Sequence, residues 1–174
     1  MITAVVLAAG ASSRFGSPKQ RLLLSPVLER VRSSSVDDVL VVLGAHEVET
    51  DARAVHCAEW ERGPGASLRC GLAALGADVE AAVVVLGDGP ALDPRAIDRV
   101  IESWRRSGAI RLAATYNGVR LHPLLLARAA WAAIPDEGLR DVQALPVPCD
   151  DLVPPGDVDF ADQLLGRWPR RGTE

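Results

Sequence analysis

With 174 residues, 48% of them hydrophobic, the chain is long enough for one domain with a sizeable core and too apolar for a disordered one. A net charge of −4 and a pI near 5.4 give no global attraction to nucleic acid or to an anionic membrane, so any polyanion site has to be local. Apolar runs such as residues 81–86 are far too short to span a bilayer, and the start lacks the basic region and cleavage site of a signal peptide, which predicts a cytoplasmic protein.

In chain order, residues 2–7 form an apolar run that predicts a buried strand. The run opens into Ala8-Ala9-Gly10-Ala11-Ser12-Ser13-Arg14-Phe15-Gly16-Ser17-Pro18-Lys19, a loop suited to phosphate. Its two glycines let backbone bend or approach a ligand, and free amides bond an anion with no side chain in the way. Arg14 adds a guanidinium fork and Lys19 a mobile point charge. The spacing is that of neither a P-loop nor a Gly-x-Gly-x-x-Gly fingerprint.

Pro26 fits the first turn of a helix running to about residue 33. Residues 38–43 read as a second buried strand and 52–57 as a shorter third. Gly63-Pro64-Gly65 predicts a loop, followed by a helix over 66–75 that Ser67 is placed to cap. Residues 81–86, unbroken in apolar character, predict a strand covered on both faces, and Gly87-Asp88-Gly89-Pro90 follows directly. Asp93 and Pro94 open a helix with Ile97, Val100, Ile101 and Trp104 inward and Gly108 at its end.

Asn117-Gly118 between residues 111–115 and 119–121 signals a hairpin, so antiparallel pairing is expected late in an otherwise alternating pattern. Helical stretches are predicted over 124–134 and 138–144, an edge strand limited by its prolines over 145–148, and a closing helix over 160–168, with a frayed tail from 169. Residues 1–174 are therefore expected to form one three-layer α/β/α domain around a mostly parallel, Rossmann-like sheet.

The cysteines, Cys57, Cys70 and Cys149, are odd in number and contain no Cys-x-x-Cys, so neither a disulfide framework nor a zinc site is expected. Cys57 and Cys70 read as small buried hydrophobes, and Cys149, among polar residues, as exposed. His46, His56 and His122 have no metal-ligand spacing with a cysteine or carboxylate. Ligands of open parallel sheets bind beyond the carboxyl ends of the strands, where both the opening loop and Asp88 are expected. Asp88 suits a metal bound together with phosphate oxygens, although Asp-Gly-Pro is equally good turn chemistry.

The opening loop resembles the Leu-Ala-Ala/Gly-Gly-x-Ser-x-Arg-Phe/Met-Gly-x-x-Lys signature of MobA-like nucleotidyltransferases, the group of molybdenum cofactor cytidylyl- and guanylyltransferases. The resemblance implies a nucleotide-diphospho-sugar-transferase-like fold and transfer of a nucleotidyl group from a nucleoside triphosphate to molybdopterin, with Mg²⁺ as cofactor. It implies nucleotide contacts along Leu7, Ala8, Ala9, Gly10, Ser12, Ser13, Arg14, Gly16 and Lys19, with Arg14, Lys19 and Asp88 in catalytic roles. Gly87-Asp88-Gly89-Pro90 looks like the family's Gly-Asp-x-Pro, placing Asp88 on the metal, and Asp157-Val158-Asp159 resembles Asp-Ile-Asp, placing Asp159 as a second carboxylate. The latter is also what a solvated acidic turn would look like.

Gly65-Ala66-Ser67-Leu68-Arg69-Cys70-Gly71-Leu72 is similar to the family's Ser-Leu-Arg-x-Gly-Leu, which puts Ser67 near the nucleotide. His122-Pro123 resembles a Gly-His-Pro segment on the acceptor side, and Asp136-Glu137-Gly138-Leu139-Arg140 resembles Gly-Asp-x-Gly-x-Arg. Ala9 and Lys19-Gln20 resemble the cytidylyl branch, so CTP is expected over GTP, with a molybdenum enzyme as a further partner. The departures are a shortened segment at Ser25-Pro26, Leu121 where glycine usually precedes His-Pro, and Phe160-Ala161-Asp162 after the acidic motif. They leave the nucleotide end intact and bear on the acceptor, so a sugar phosphate or another phosphorylated alcohol, or a non-catalytic role as a dinucleotide-cofactor chaperone, stand as alternatives.

Overall fold

A computed structural model describes residues 1–11 and 20–156. Seven strands, β1 (Ile2–Ala8), β2 (Asp38–Leu43), β3 (Arg53–His56), β4 (Ala81–Leu86), β5 (Arg111–Tyr116), β6 (Val119–Ala127) and β7 (Leu145–Pro148), form one sheet. Their order is β3-β2-β1-β4-β6-β5-β7. Strand β6 runs against both neighbours, β4 and β5, while every other pairing is parallel. The expected α/β architecture with a late antiparallel hairpin is what the chain adopts.

Among the described residues the α-helices are α1 (Gln20–Arg32), α2 (Pro64–Ala73) and α3 (Pro94–Ser107). Alternation along β1 sends Ala4, Val6 and Ala8 toward α1 and α3, where they meet Val27, Val31, Ile97 and Ile101. Val5, with Leu40 and Val42 of β2, packs on the other face against Leu68 and Leu72 of α2. Turn and loop segments supply Ile134 and Leu139 to that second face, which a single helix is too short to cover. Helix α3 has the ends its sequence predicts: the Asp93 carboxylate accepts from the Arg95 N–H at 2.9 Å, and Gly108 closes it at φ 64°. Asn117 and Gly118 turn the hairpin at φ 50° and 78°.

Several expectations are corrected. Helix α1 begins at Gln20, so Pro26 lies inside it and not in its first turn. Leu23, Leu24, Val27, Leu28 and Val31 form one buried stripe, and burying it favours the earlier start although Pro26 forgoes a bond to the Leu22 carbonyl. Helix α2 begins at Pro64 with Gly63 as N-cap, so Ser67 lies inside the helix and caps nothing. Residues 124–127 belong to β6: a short, wholly apolar run suits a buried strand as well as a helix, and here it satisfies β4 and β5 on its two edges. Between Ala113 and Thr115 the pairing is irregular, with Ala113 opposite Leu124 and Thr115 opposite Arg120, so Leu121, His122 and Pro123 face Ala114.

Residues 138–144 form turns, not a helix, because Gly138 sits at φ 90° and Arg120 takes the backbone carbonyls a helix would use. Cys57 and Cys70 are joined in a disulfide with Cα atoms 5.7 Å apart, and Cys149 is buried, not exposed. Neither was signalled by cysteine spacing, since the fold alone brings the end of β3 onto α2. The expected closing helix over 160–168 and the tail lie outside the described residues. Among the described residues no helix is long and apolar enough to cross a membrane.

Candidate functional site

Strands β1 and β4 pair in parallel with Leu7 opposite Leu86, and the Gly87 N–H extends the ladder by donating to the Leu7 carbonyl at 2.9 Å. Asp88 is the next residue and is half-buried. The chain therefore leaves β4 at the level where Ala8, Ala9 and Gly10 leave β1. The two chains are close there: a Cβ at position 87 would lie 3.1 Å from that of Ala8, a tight contact that glycine avoids. The start of the loop is tethered from the far side: the Ala45 N–H donates to the Ala9 carbonyl at 3.0 Å, and His46 Nε2 donates to the Ala11 carbonyl at 2.8 Å.

Behind Asp88, the Ala91 N–H donates to the Pro155 carbonyl at 3.1 Å, and a Cβ on Gly89 would lie 2.9 Å from the Gly156 oxygen. The segment leading to the acidic Asp157-Val158-Asp159 thus runs beside the residues that follow β4. Asp159 itself lies outside the described residues, as do Ser12, Ser13, Arg14, Gly16 and Lys19. Among the described residues no cluster of three or more histidine, cysteine or carboxylate side chains is arranged to hold a metal by itself. Mg²⁺ is usually bound by one or two carboxylates together with phosphate oxygens, and Asp88 is a carboxylate of that kind.

On the α2 side of the same edge lies a cavity of about 450 Å³. Its floor is the ends of β1 and β4, with Leu7, Val84 and Leu86, and one wall is Pro64 and Leu68 of α2. Because β6 runs the other way, its early residues Arg120 and His122 reach this edge, and residues 137–140 complete the wall. His122 is held neutral, with its pKa pushed down to about 4 by burial and secondarily by the Arg120 guanidinium. Leu7 and His122 therefore share one cavity, whereas Pro123 is buried behind it. Ser67 is only 4% exposed within α2 and does not line the cavity.

The wall is braced in a way that sequence reading missed. Arg62 Nε and Nη2 donate to Asp136 Oδ2 at 3.2 and 3.0 Å, and Arg69 pairs with Asp136 Oδ1. Arg69 Nη1 also donates to the Ile134 carbonyl at 2.6 Å, and the Gly65 N–H to the Asp136 carbonyl at 2.9 Å. The two guanidiniums, Arg69 foremost, hold the Asp136 carboxyl below the usual carboxylate range. Arg69 and Asp136 each stood in a recognised motif, but nothing in their separation of 67 residues signalled that they meet.

Residues 4–146 match the family model described as the MobA-like NTP transferase domain. The bifunctional protein GlmU of Sorangium cellulosum (strain So ce56) is 30% identical over 127 residues, a match that takes in 62% of this chain and 27% of that protein. The chain thus spans about a quarter of the length of that curated relative. Among solved structures, the homologue of Mycobacterium tuberculosis Rv0371c from Mycobacterium sp. strain JC1 is 28% identical, with 94% of this chain and 93% of that one covered at a TM-score of 0.76. Rv0371c of M. tuberculosis H37Rv in complex with manganese is 26% identical, with 94% and 96% covered at a TM-score of 0.71.

Proposed function

We propose, from the premise that this chain belongs to the MobA-like NTP transferase family, that it transfers CMP from CTP to molybdopterin and releases pyrophosphate. The observation that carries the reading is the shared edge: the glycine-containing loop and Asp88 leave adjacent parallel strands at one level, beside a cavity large enough for an organic acceptor. An acceptor phosphate oxygen forms the new bond to the α-phosphorus as the bond to the β-phosphate oxygen breaks, and pyrophosphate carries away the charge. A phosphate monoester needs no general base, so the work is alignment and charge neutralisation.

Backbone amides of the loop and Arg14 hold the leaving phosphates, while Lys19 neutralises the α-phosphate and the incoming acceptor. Ser12, Ser13, Gly16 and Ser67 belong to the nucleotide side in this reading, and His122 and Pro123 to the acceptor side. Asp88, with Asp159 as a second carboxylate, would hold Mg²⁺, which when bound offsets charge on the transferred phosphate. The manganese bound by Rv0371c and the approach of Gly156 to Gly89 support that assignment. The cavity sets leucines of β1, β4, β6 and α2 beside Arg120, His122, Glu137 and Arg140, so it offers the body of an acceptor an apolar surface together with polar partners.

Incubating the protein with each labelled triphosphate, Mg²⁺ and molybdopterin tests the reading. A cytidine dinucleotide and stoichiometric pyrophosphate are expected. Pyrophosphate release with a sugar phosphate instead would move the acceptor, and nucleotide binding without release under any acceptor would make the protein a cofactor chaperone for a molybdenum enzyme.

A further inference from the structure

The motif Asp136-Glu137-Gly138-Leu139-Arg140 has no part in the reaction just described, yet its residues 137–140 form one wall of the cavity. That wall is not held by a helix or a strand, since residues 131–144 are turns and irregular backbone. It is held at two points. On one side Arg120 of β6 donates to the carbonyls of Leu139 at 3.0 Å and Arg140 at 3.5 Å, and also to that of Val142. On the other side lies the Asp136 carboxylate, gripped by Arg62 from the short 3-10 turn Trp60–Arg62 just before α2 and by Arg69 from within α2.

The backbone contact under this clamp is close. A Cβ on Gly65 would lie 1.7 Å from the Pro135 oxygen, and one on Gly63 would lie 2.4 Å from the Asp136 oxygen. Two glycines therefore let the loop lie directly on the start of α2, and the charge cluster keeps it there. Helix α2 is itself fixed independently, by the packing of Leu68 and Leu72 and by the disulfide at Cys70, next to Arg69. Arg69 thus projects from a helix anchored in the core, whereas residues 131–144 carry no helix or strand of their own.

We propose that Asp136 is the positioning residue of this cavity: clamped by Arg62 and Arg69, it fixes residues 137–140 as the wall against which the body of the acceptor binds. The proposal rests on reading the cavity as the acceptor subsite. Because the clamp joins residues 136–140 to α2 and the turn before it, and not to β1 or β4, its loss loosens the acceptor side and leaves the edge at β1 and β4 in place. Both arginines and the carboxylate are partly exposed, so the clamp is also open to screening by salt.

The test is Asp136→Asn, which keeps the shape and removes the charge, alongside Asp136→Glu as the conservative variant. Hydrogen exchange on the free protein reads the clamp without any reaction: amides of residues 137–142 should exchange about tenfold faster in Asp136→Asn, with amides of β1 and β4 unchanged. In turnover with CTP and molybdopterin, the KM for molybdopterin should rise about tenfold with kcat within about twofold and the KM for CTP unaltered, since displacing a binding wall weakens positioning without touching the reacting groups. Asp136→Glu should recover most of both effects. Unchanged exchange at 137–142, or a rise in the KM for CTP equal to that for molybdopterin, overturns the proposal. If the wild-type protein releases no pyrophosphate, the functional reading fails and hydrogen exchange still decides whether Asp136 clamps the wall.

Discussion

The two halves of the site are fixed by different forces. At the β1 and β4 edge, position is set by the parallel ladder, from Ile2 opposite Ala81 to Leu7 opposite Leu86 and on to the bond from Gly87. These are backbone bonds between fully packed strands, and hardly any substitution moves them without breaking the sheet. At the cavity wall, position is set by Arg62, Arg69, Arg120 and Asp136, and by glycines that let two backbones touch. Those are side-chain choices. The end expected to hold the triphosphate is built to stay constant, and the end expected to hold the acceptor is built from parts that change one at a time.

That difference predicts separable losses. Asp88→Ala should lower pyrophosphate release at least about a hundredfold, while the melting temperature stays near that of the wild type. A surviving rate would remove Asp88 from the reaction and with it the contrast between the two halves. Cys70→Ser, or reduction of the Cys57–Cys70 bond, releases a loop with a sequence separation of 13 and should cost on the order of 3 kcal/mol of stability, read as a shift in the urea midpoint. Thiol titration of the native protein with and without reductant checks the bond directly. It also bears on location, because such bonds persist mainly in oxidising compartments.

Gly65→Ala forces the loop at Pro135 away from α2 and should destabilise the fold by about 1–3 kcal/mol, while raising the KM for the acceptor and not that for CTP. An unchanged melting temperature would mean that the loop does not lie on the helix. A further effect is in pH. His122 has a folded pKa of about 4 against an unfolded value of 6.5, so between these the unfolded chain binds more protons. Stability from this group is therefore complete above pH 6.5 and falls as the pH drops toward 4, with a slope of at most about 1.4 kcal/mol per pH unit. Urea midpoints at pH 7, 6 and 5 measure it, and His122→Gln should flatten the slope.

How much of this was legible in the residues follows the same division. Strands 38–43, 81–86 and 145–148 and the ends of α3 were readable because each carries its own signal: an apolar run, prolines that limit a strand to an edge, or an Asp-Pro cap with a terminal glycine. The edge shared by the opening loop and Asp88 followed from the rule for parallel sheets. What was not legible was decided by partners distant in the chain. Leu124 to Ala127 became a strand because β4 and β5 needed an edge filled, residues 138–144 became turns because Arg120 claimed their carbonyls, and Cys57 met Cys70 because α2 lies over β3. No local pattern announces such meetings.

The irregular pairing of β5 and β6 has a further consequence. Against the single Ala114 the hairpin places three residues, Leu121 to Pro123, so it absorbs two extra positions. Side chains alternate with a period of two, so Leu124 and Leu126 keep facing α2 and Leu125 keeps facing α3 on the far side of the bulge. Gaining or losing two residues here would slide His122 along the rim and resize the pocket while the interior stays as it is; a change of one would turn the leucines inside out. The sheet therefore carries a place where the chain can lengthen or shorten by two residues with its interior facing unchanged.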